Sequence, residues 1–409
     1  MPNKRELYIG LMSGTSIDGI DAALVAFEQG KCQLIAQHLQ AMPAKLTTQL
    51  HQLCRPNDNE ISTLATIEQP LAETFALACE QLLAKTQYTA KDITAIGSHG
   101  QTVRHHPEHG FTLQIGDANI LAALTNIDTV ADFRRKDMAL GGQGAPLVPA
   151  FHQAVFQHAT ITRAIINIGG LANITYLPSL QQNKSIIGYD TGPGNTLLDA
   201  WFTAKNNRTK NNSLKSYDED GQWAKSGVVI ESLLTSLLQH KFFALSPPKS
   251  TGRELFNLAW LQPYLNKALN NSLDTISDKH PLSYSDADVQ RTLTRFTAVS
   301  IANEVTKLMH NSIGNKSGVV NKSDNVNITN EVYICGGGAA NPLLMADLAQ
   351  LLPITPVMTT TEIGIDPDWV EAIAFAWLAK QHIHKLPGNL PAVTGASRLA
   401  ILGAFYPAG

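Results

Sequence analysis

The stretch that decides the fold is Leu11-Met12-Ser13-Gly14-Thr15-Ser16-Ile17-Asp18-Gly19-Ile20-Asp21. It separates two mostly apolar runs, 7–12 and 20–27, that alternate as β-strands do. Two strand patterns around a polar, glycine-bearing loop predict a β-hairpin. The loop is not a P-loop, because the GxxxxGK[ST] spacing is missing. Its glycines let backbone N–H groups approach a phosphate, its hydroxyls can donate hydrogen bonds, and its carboxylates can hold Mg²⁺ through water. An ordinary hairpin with an Asp-Gly turn is the alternative.

The order of elements around this hairpin occurs twice along the chain. Apolar spacing predicts a helix over 61–85, a strand over 93–100 that ends in a tight glycine turn, and a strand over 128–133. Strand, glycine-bearing turn and strand recur over 164–177, and a strand with a glycine turn recurs over 332–338. Further helices are predicted at 228–238, 292–309 and 370–380. The chain is therefore predicted to contain two similar α/β halves.

Length supports this division, since 409 residues exceed what one average core holds and favour two domains of roughly 150 to 200 residues. We expect a first domain over 1–133, completed by about 381–409, and a second domain over 134–380. Two stretches rich in Asn, Lys and Ser, 205–216 and 311–330, cannot bury enough apolar surface to pack. We predict both to be flexible, solvated insertions.

Composition excludes several classes of protein. A formal charge of -3 gives no basic excess for binding a phosphate backbone, so we do not expect a nucleic acid partner. No run of about 18 apolar residues and no export signal occur, so a cytoplasmic protein without a membrane anchor is expected. The four cysteines are far apart and lack zinc-site spacing, which is typical of free thiols in a reducing compartment.

A second segment, 187–201, passes from a strand through a Gly/Pro-rich turn into a helix. Asp190 is predicted at the strand end, and the N–H groups of Gly192, Gly194 and Asn195 open a helix that favours anions. A carboxylate beside an anion site is costly unless it takes part in chemistry or metal binding. A turn or capping role for Asp190 is the alternative. Asp199, one turn inside the helix, is interpreted as structural.

A third segment, Gly336-Gly337-Gly338, joins a strand to a helix. Three glycines remove every Cβ that would keep a flat ring from the backbone, which indicates a contact with adenosine. The full GxGxxG pattern is missing, so a dinucleotide fold is not indicated. Glycine turns are common, and an ordinary turn is the alternative.

Together, LMSGTSIDGID, DTGPGN and ICGGGAANPLL resemble the two phosphate-binding segments and the adenosine-binding turn of the actin, Hsp70 and sugar-kinase superfold. With SHGQTVRH, DFRRKDMALGGQGAPLVP, NIGGLANIT and LPAVTGASRLAILG, they closely resemble the anhydro-N-acetylmuramic acid kinase family, from residue 8 to about 403. The resemblance implies an α/β fold of two similar actin-like, ribonuclease H-like domains that flank a nucleotide and sugar cleft.

The implied activity is an ATP-dependent kinase that opens the 1,6-anhydro ring with water and phosphorylates O6, in peptidoglycan recycling. The family pattern makes Asp190 the general base. ATP and Mg²⁺ are the implied cofactors, with Mg²⁺ held by Asp18 or Asp21 and water, and Gly336, Gly337 and Gly338 contacting adenosine. The implied phosphate and Mg²⁺ ligands are Gly14, Thr15, Ser16, Ile17, Asp18, Gly19, Ile20, Asp21, Gly192, Gly194 and Asn195.

The sugar is expected to contact polar residues in the matched segments, namely His99, Gln101, Asp132, Arg134 and Glu371. Arg134 suits the lactyl carboxylate because a guanidinium can grip it with two hydrogen bonds, and Arg135 is the competitor. Glu371 is expected near the anhydro ring, with favourable electrostatics at a helix N-terminus as the alternative. The histidines at 99, 105, 106 and 109 lack the spacing of a metal site.

Two other functions stay open from the sequence. An actin-like or Hsp70-like ATPase would use the nucleotide without a sugar, and another sugar kinase of the superfold would use Asp190 to deprotonate a sugar hydroxyl. The expected partners are small-molecule substrates, and the resemblance suggests a homodimer.

Overall fold

The structure is a computed structural model that describes residues 5–14, 16–206, 216–274, 284–310 and 329–409. The side chains of 269–274, 310 and 329 lie outside this description, as does Thr15. Most of the two predicted insertions, 205–216 and 311–330, also lies outside the described residues.

The described strands are numbered in chain order. They are β1 (Glu6–Ser13), β2 (Gly19–Glu28), β3 (Lys31–Ala41), β4 (Ile93–His106), β5 (Phe111–Ile115), β6 (Thr129–Ala131), β7 (Ile161–Ile168), β8 (Leu171–Leu177), β9 (Ile187–Pro193), β10 (Thr329–Cys335), β11 (Val357–Thr359) and β12 (Ala404–Tyr406).

The described helices follow the same scheme. They are α1 (Ala44–Leu53), α2 (Glu60–Leu83), α3 (Ala118–Thr125), α4 (Phe133–Met138), α5 (Val148–Phe156), α6 (Thr196–Lys205), α7 (Gln222–Lys225), α8 (Glu231–Leu238), α9 (Leu258–Asp274), α10 (Asp286–His310), α11 (Pro342–Leu351), α12 (Val370–Ile383) and α13 (Pro391–Thr394). None of these described helices is both long enough and apolar enough to cross a bilayer.

The chain divides into two compact units. The first unit contains Met1–Phe156 and Gly364–Gly409, and the second contains Gln157–Ile363. The predicted domain boundaries differ, because they assigned 134–156 and 364–380 to the second domain. Helix α12 belongs to the first unit because it lies directly on strands β1 and β4. A Cβ on Gly10 would stand 1.8 Å from the Ala372 carbonyl oxygen, so glycine in β1 is what allows this close approach.

The sheets of the two units share a topology of five strands, to which the first sheet adds β5 beside β4 and β12 beside β6. In the first unit the order β3-β2-β1-β4-β6 has β1, β2 and β3 antiparallel, with β4 parallel to β1 and β6 parallel to β4. In the second unit β9-β8-β7-β10-β11 repeats that order and those directions. The prediction of two similar α/β halves is confirmed, as is the α/β fold class.

Two predicted strand ends were wrong, and both are bulges. The strand predicted to turn at Gly100 continues to His106, because Gly100 adopts a φ of 67° and the pairing then resumes with β5. Strand β9 likewise runs past Asp190 to Pro193. Its register with β8 shifts where Asn173 pairs with Asp190 and Ala172 pairs with Gly192, so Thr191 is the extra residue. Bulges re-aim neighbouring side chains, and both lie beside predicted site residues.

Apolar side chains pack the helices against the sheets. In the first unit, residues from β1, β2 and β4 pack with α1, α2 and α3, centred on side chains such as Phe75 and Leu71. In the second unit one core joins β7, β8 and β10 to α10 and α11, and another joins α6, α8, α9 and α10. These cores fix the positions of the strands that bear candidate residues.

Candidate functional site

The turn between β1 and β2 is anchored by Ile17. Its side chain is 1% exposed and its φ is 59°. Its N–H donates to the Gly14 carbonyl at 3.3 Å, and its own carbonyl accepts from the Thr47 hydroxyl at 3.3 Å. Ser16 Oγ donates to Asp18 Oδ1 at 2.6 Å on the exposed side of the turn. The turn therefore presents Ser16 and Asp18 to solvent, whereas the Ile17 side chain serves the core.

The predicted phosphate-binding segment extends into strand β2, which contains Gly19, Ile20 and Asp21. Burial raises the pKa of Asp21 to about 7, with further contributions from the charges of Glu371, Asp18 and Asp368. Four carboxylates that repel one another favour a bound cation. No group of three or more His, Cys, Asp or Glu in the described part of the chain could hold a metal alone. Mg²⁺ needs only one or two carboxylates when phosphates supply other ligands, so this donor set fits it.

Gln101 braces the turn from below and is fully buried. Its Nε2 donates to the carbonyls of Gly14 at 3.1 Å and Thr102 at 3.2 Å, so both amide hydrogens are used. Its Oε1 lies 2.6 Å from Ser13 Oγ, which is also 3.0 Å from the Gly19 carbonyl. Gln101 was predicted to contact the sugar, but this geometry supports a structural role beneath the turn.

Three other predicted sugar residues come together in the first unit. His99 Nε2 accepts from Arg134 Nε at 3.1 Å and lies 2.9 Å from Arg134 Nη2, which puts the imidazole hydrogen on Nδ1. Burial, with the Arg134 charge, holds the pKa of His99 well below its usual range. Burial lowers the pKa of Arg134 to about 10, and the charge of Glu371 opposes this. The cluster therefore has a neutral histidine, a charged arginine and a nearby carboxylate.

The loop that holds Arg134 depends on Asp137, which the sequence did not single out. Asp137 is fully buried and accepts from the Gly144 N–H at 2.9 Å, the Asn389 amide at 2.8 Å and the Thr394 hydroxyl at 2.8 Å. The Gly144 carbonyl in turn accepts from Arg134 Nη1 at 2.9 Å. Two motifs about 250 residues apart are thus joined around one carboxylate, a contact that no sequence spacing reveals.

Asp132 and Arg135 form a pair of their own. Asp132 has a φ of 58°, and its Oδ1 accepts from Arg135 Nε at 2.7 Å. Arg135 is exposed, while Arg134 is half-buried. Of the two arginines weighed for the lactyl carboxylate, Arg135 is already paired, so the geometry favours Arg134.

In the second unit Asp190 is held by a facing segment of 249–254. Its N–H donates to the Lys249 carbonyl at 3.1 Å, and its Oδ2 accepts from the Thr251 N–H at 2.9 Å. Burial raises the pKa of Asp190 to about 6, which the Thr251 N–H and the Lys249 charge oppose and the Glu254 charge reinforces. A carboxylate with a pKa near neutrality is suited to act as a general base. The run Lys-Ser-Thr-Gly-Arg-Glu at 249–254 was missed, although its charges around a glycine were a visible signal.

The turn after Asp190 differs from the expected phosphate site. The N–H groups of Gly194 and Asn195 donate to the carbonyls of Gly170 at 3.0 Å and Gly169 at 2.8 Å, so neither is free for an anion. Gly192, also predicted there, lies in β9 with a φ of 147°. These bonds lock the β7–β8 turn instead. A Cβ on Gly170 would stand 3.2 Å from Arg253 Nη2, so a guanidinium lies against that turn.

The three glycines at 336–338 have different surroundings. A Cβ on Gly336 would stand 2.3 Å from Asn167 Oδ1, and one on Gly338 would stand 2.4 Å from Ile168 Cγ2. Packing against β7 therefore explains these two. A Cβ on Gly337 would meet nothing closer than Asn195 Nδ2 at 3.9 Å. Gly337 is thus the position of the three where a ligand has room.

Proteins of a known family are similar to this chain along nearly its whole length. The sequence pattern of the anhydro-N-acetylmuramic acid kinase family matches residues 6–408. An anhydro-N-acetylmuramic acid kinase from Shewanella pealeana is 50% identical over 403 residues, covering 98% of both chains. One from Shewanella frigidimarina is 51% identical over 408 residues, covering 99% of this chain and 100% of the relative.

Among solved structures, a ROK family glucokinase from Streptomyces griseus in complex with glucose and AMPPNP is 13% identical. The match covers 92% of this chain and 99% of that one, at a TM-score of 0.37, which is too weak to support an assignment. The family match and the two relatives span nearly the whole chain. The chain therefore belongs to the anhydro-N-acetylmuramic acid kinase family.

Proposed function

We propose that this protein is an ATP-dependent kinase acting on 1,6-anhydro-N-acetylmuramic acid. With water and ATP it yields N-acetylmuramic acid 6-phosphate and ADP, a step of peptidoglycan recycling. The observation that carries the proposal is the Asp190 carboxylate, oriented by the Thr251 N–H, with a pKa of about 6, in a chain whose family and relatives bear that name.

Asp190 acts as the general base on the attacking water. The water oxygen forms a bond to C1 while the C1–O6 bond breaks, and the water proton passes to Asp190. The released O6 attacks the γ-phosphorus, and the bond from that phosphorus to the β-phosphate oxygen breaks to leave ADP. Ordinary glycoside hydrolysis needs a second carboxylic acid to protonate the leaving oxygen. Here the phosphoryl group captures that oxygen, so one base is sufficient.

Charge on the transferred phosphoryl group must be neutralised. We assign this role in the first unit to the turn that carries Ser16 and Asp18, with Asp21 or Asp18 as the carboxylate for Mg²⁺. When bound, Mg²⁺ would neutralise phosphate oxygens. In the second unit we assign Arg253, which lies against the β7–β8 turn, in place of the occupied N–H groups of Gly194 and Asn195.

The sugar contacts are assigned to the cluster in the first unit. Arg134 binds the lactyl carboxylate through guanidinium hydrogens that His99 and Gly144 leave unused. His99 fixes the orientation of that guanidinium, and burial and the Arg134 charge hold the pKa of His99 well below its usual range. Glu371 accepts from sugar hydroxyl or amide groups. Adenosine lies over Gly337, the open position of its turn.

The test is ADP formation with and without the anhydro sugar. The proposal predicts that ADP release depends on 1,6-anhydro-N-acetylmuramic acid and yields one sugar phosphate for each ADP. Sugar-independent turnover at the full rate would favour an actin-like ATPase instead. Turnover with glucose or N-acetylglucosamine, but not with the anhydro sugar, would favour another sugar kinase.

ATP use and a small recycled substrate suggest a cytoplasmic location. The family resemblance suggests a homodimer, and light scattering on the purified protein in solution decides that question. A mass equal to one chain of 44.3 kDa would exclude the dimer.

A further inference from the structure

A buried ion pair lies directly behind the proposed base. Lys249 Nζ is 3.1 Å from Glu304 Oε1, and the two side chains are 1% and 4% exposed. Burial alone would raise the pKa of Glu304, but hydrogen bonds from Lys307 and Tyr189 and the charge of Lys249 lower it, so the Glu304 carboxylate is ionised. Removing two charges from water is expensive, and such a pair often stabilises no more than apolar residues would. Its position therefore calls for another explanation.

The pair connects both chain segments that determine the Asp190 geometry. Lys249 supplies the carbonyl that accepts the Asp190 N–H, and it precedes by two residues the Thr251 N–H that binds the carboxylate. On strand β9, Tyr189 directly precedes Asp190 and donates to Glu304 Oε2 at 2.9 Å. Glu304, on α10, therefore binds one residue from each side of the contact that orients Asp190.

Two aromatic rings lie beside the Lys249 ammonium. Its Nζ is 4.9 Å from the centre of the Phe242 ring and 5.7 Å from that of Tyr189. A second ammonium, Lys307 Nζ, lies 2.8 Å from Glu304 Oε1 at the surface end of the pair. With Glu304 held by three donors, the carboxylate has little freedom to rotate, and the segment attached to Lys249 is fixed in turn.

We propose that Lys249 and Glu304 are positioning residues for the Asp190 base, and that they hold the 249–254 segment so that the Thr251 N–H keeps the carboxylate aimed at the attacking water. This inference rests on the proposed function. Neither residue touches the substrate, and the pair acts through Thr251 and Asp190.

The charges around Asp190 give the pair a second effect, on protonation. The groups that face it are Lys249 and Glu254 on the opposing segment, with Glu304 and Lys307 behind them on α10. The Lys249 charge favours the ionised base. Its loss, together with loss of the Thr251 hydrogen bond, raises the pKa of Asp190, and the base is then protonated at a higher pH.

The test is the double variant Lys249→Met with Glu304→Gln, which leaves no buried charge unpaired and keeps an acceptor for Tyr189. We expect kcat at pH 7 to fall about 10- to 100-fold, with KM for ATP and sugar within about threefold, because only the base is disturbed. The acidic limb of the pH–rate profile should move to higher pH. The ¹³Cγ shift of Asp190, assigned by Asp190→Asn, should titrate at the same higher pH.

The matched control is another ion pair of the second unit, one whose arginine is half-buried and whose carboxylate is buried. Arg291 Nη1 and Nη2 bind the Asp347 carboxylate at 2.6 and 2.9 Å, between α10 and α11. Arg291→Met with Asp347→Asn should lower stability without moving the acidic limb or the ¹³Cγ titration of Asp190. If the control moves both as much as the test variant does, the effect is general destabilisation and the proposal fails.

Milder variants keep the proposal testable where the double variant does not fold. Tyr189→Phe removes one hydrogen bond to Glu304 and should shift the Asp190 titration in the same direction by less, whereas Lys249→Arg should keep much of the wild-type titration. An Asp190 titration and kcat that do not respond to any of these variants would overturn the proposal. Failure of the proposed function is separate, because it would appear as wild-type protein that makes no ADP with the anhydro sugar.

Discussion

At the scale of single residues, two carboxylates have pKa values raised toward neutrality by different surroundings. The pKa of Asp190 is raised mainly by burial, and the hydrogen bond from the Thr251 N–H offsets part of that effect. The pKa of Asp21 is raised by burial and by the charges of three neighbouring carboxylates, Glu371, Asp18 and Asp368. A base that is ionised just above its pKa suits proton transfer, while a crowded group of carboxylates suits a cation. The two residues therefore have different expected responses to substitution.

Asp190→Asn tests the role of the base. The amide keeps the size of the side chain but cannot take a proton, so turnover should fall by about 10²- to 10⁴-fold. Nucleotide affinity, measured by calorimetry, should change less than about threefold. Asp288→Asn is the matched control, because Asp288 is also a carboxylate held by backbone N–H groups. It lies in α10 and accepts hydrogen bonds from the N–H groups of Val228 and Ser285. Loss of ATP affinity with normal turnover would instead make Asp190 a phosphate or metal ligand.

Asp21→Asn tests the crowding of carboxylates in the first unit. Because the folded pKa is raised from 3.8 to about 7, ionisation opposes folding, and wild-type stability falls as pH rises from about 4 through 7. Asparagine removes that penalty. Without ligands, the variant should be more stable than wild type by about 1–3 kcal/mol at pH 8 and nearly equal at pH 4.5. Thermal melts at both values check this, and an equal difference at both would contradict it.

At the scale of elements, glycines and bulges place the site. Gly10 and Gly97 let α12 lie on β1 and β4, and Gly100 bends β4. The bulge at Thr191 likewise shifts the register of β9 directly beside Asp190. A bulge adds one residue without changing which residue types occur, so the sequence pattern predicted strand ends there instead.

Gly97→Ala tests the close packing of α12. Its Cβ would stand 2.0 Å from the Phe375 carbonyl oxygen, and a backbone atom cannot yield as a flexible side chain can. We expect a loss of more than about 3 kcal/mol in the free energy of unfolding. Gly30→Ala is the control, since nothing lies within 4 Å and only its φ of 76° matters, at a cost of about 1–2 kcal/mol. Equal losses in denaturant melts would contradict the packing argument.

The sequence predicted elements well where periodicity was long. The hairpin, the helix over 61–85 and the helix over 370–380 appear as β1–β2, α2 and α12. Of the predicted site residues, His99, Arg134 and Glu371 come together and the pKa of Asp190 is raised, while their roles toward ligands stay predictions. Long-range partners such as Lys249 with Glu304, and Asp137 with Asn389, could not be predicted because only folding brings them together.

At the scale of the whole molecule, the repeated sheet topology gives each unit one turn that is equivalent to a turn in the other unit. The β1–β2 turn and the β7–β8 turn follow the first strand of their sheets, so a duplicated fold supplies two candidate phosphate-binding turns. Each unit then adds its own chemistry. The first adds the cluster of His99, Arg134 and Glu371, and the second adds Asp190. Neither set alone contains what the proposed reaction needs.

The central claim is that water opens the anhydro ring while O6 receives the phosphoryl group. The direct measurement is a single turnover in ¹⁸O-labelled water, stopped before anomeric exchange and analysed by mass spectrometry. We expect one ¹⁸O at C1 of the sugar phosphate and none in its phosphate group. Label in free inorganic phosphate, or an early product without label at C1, would contradict it.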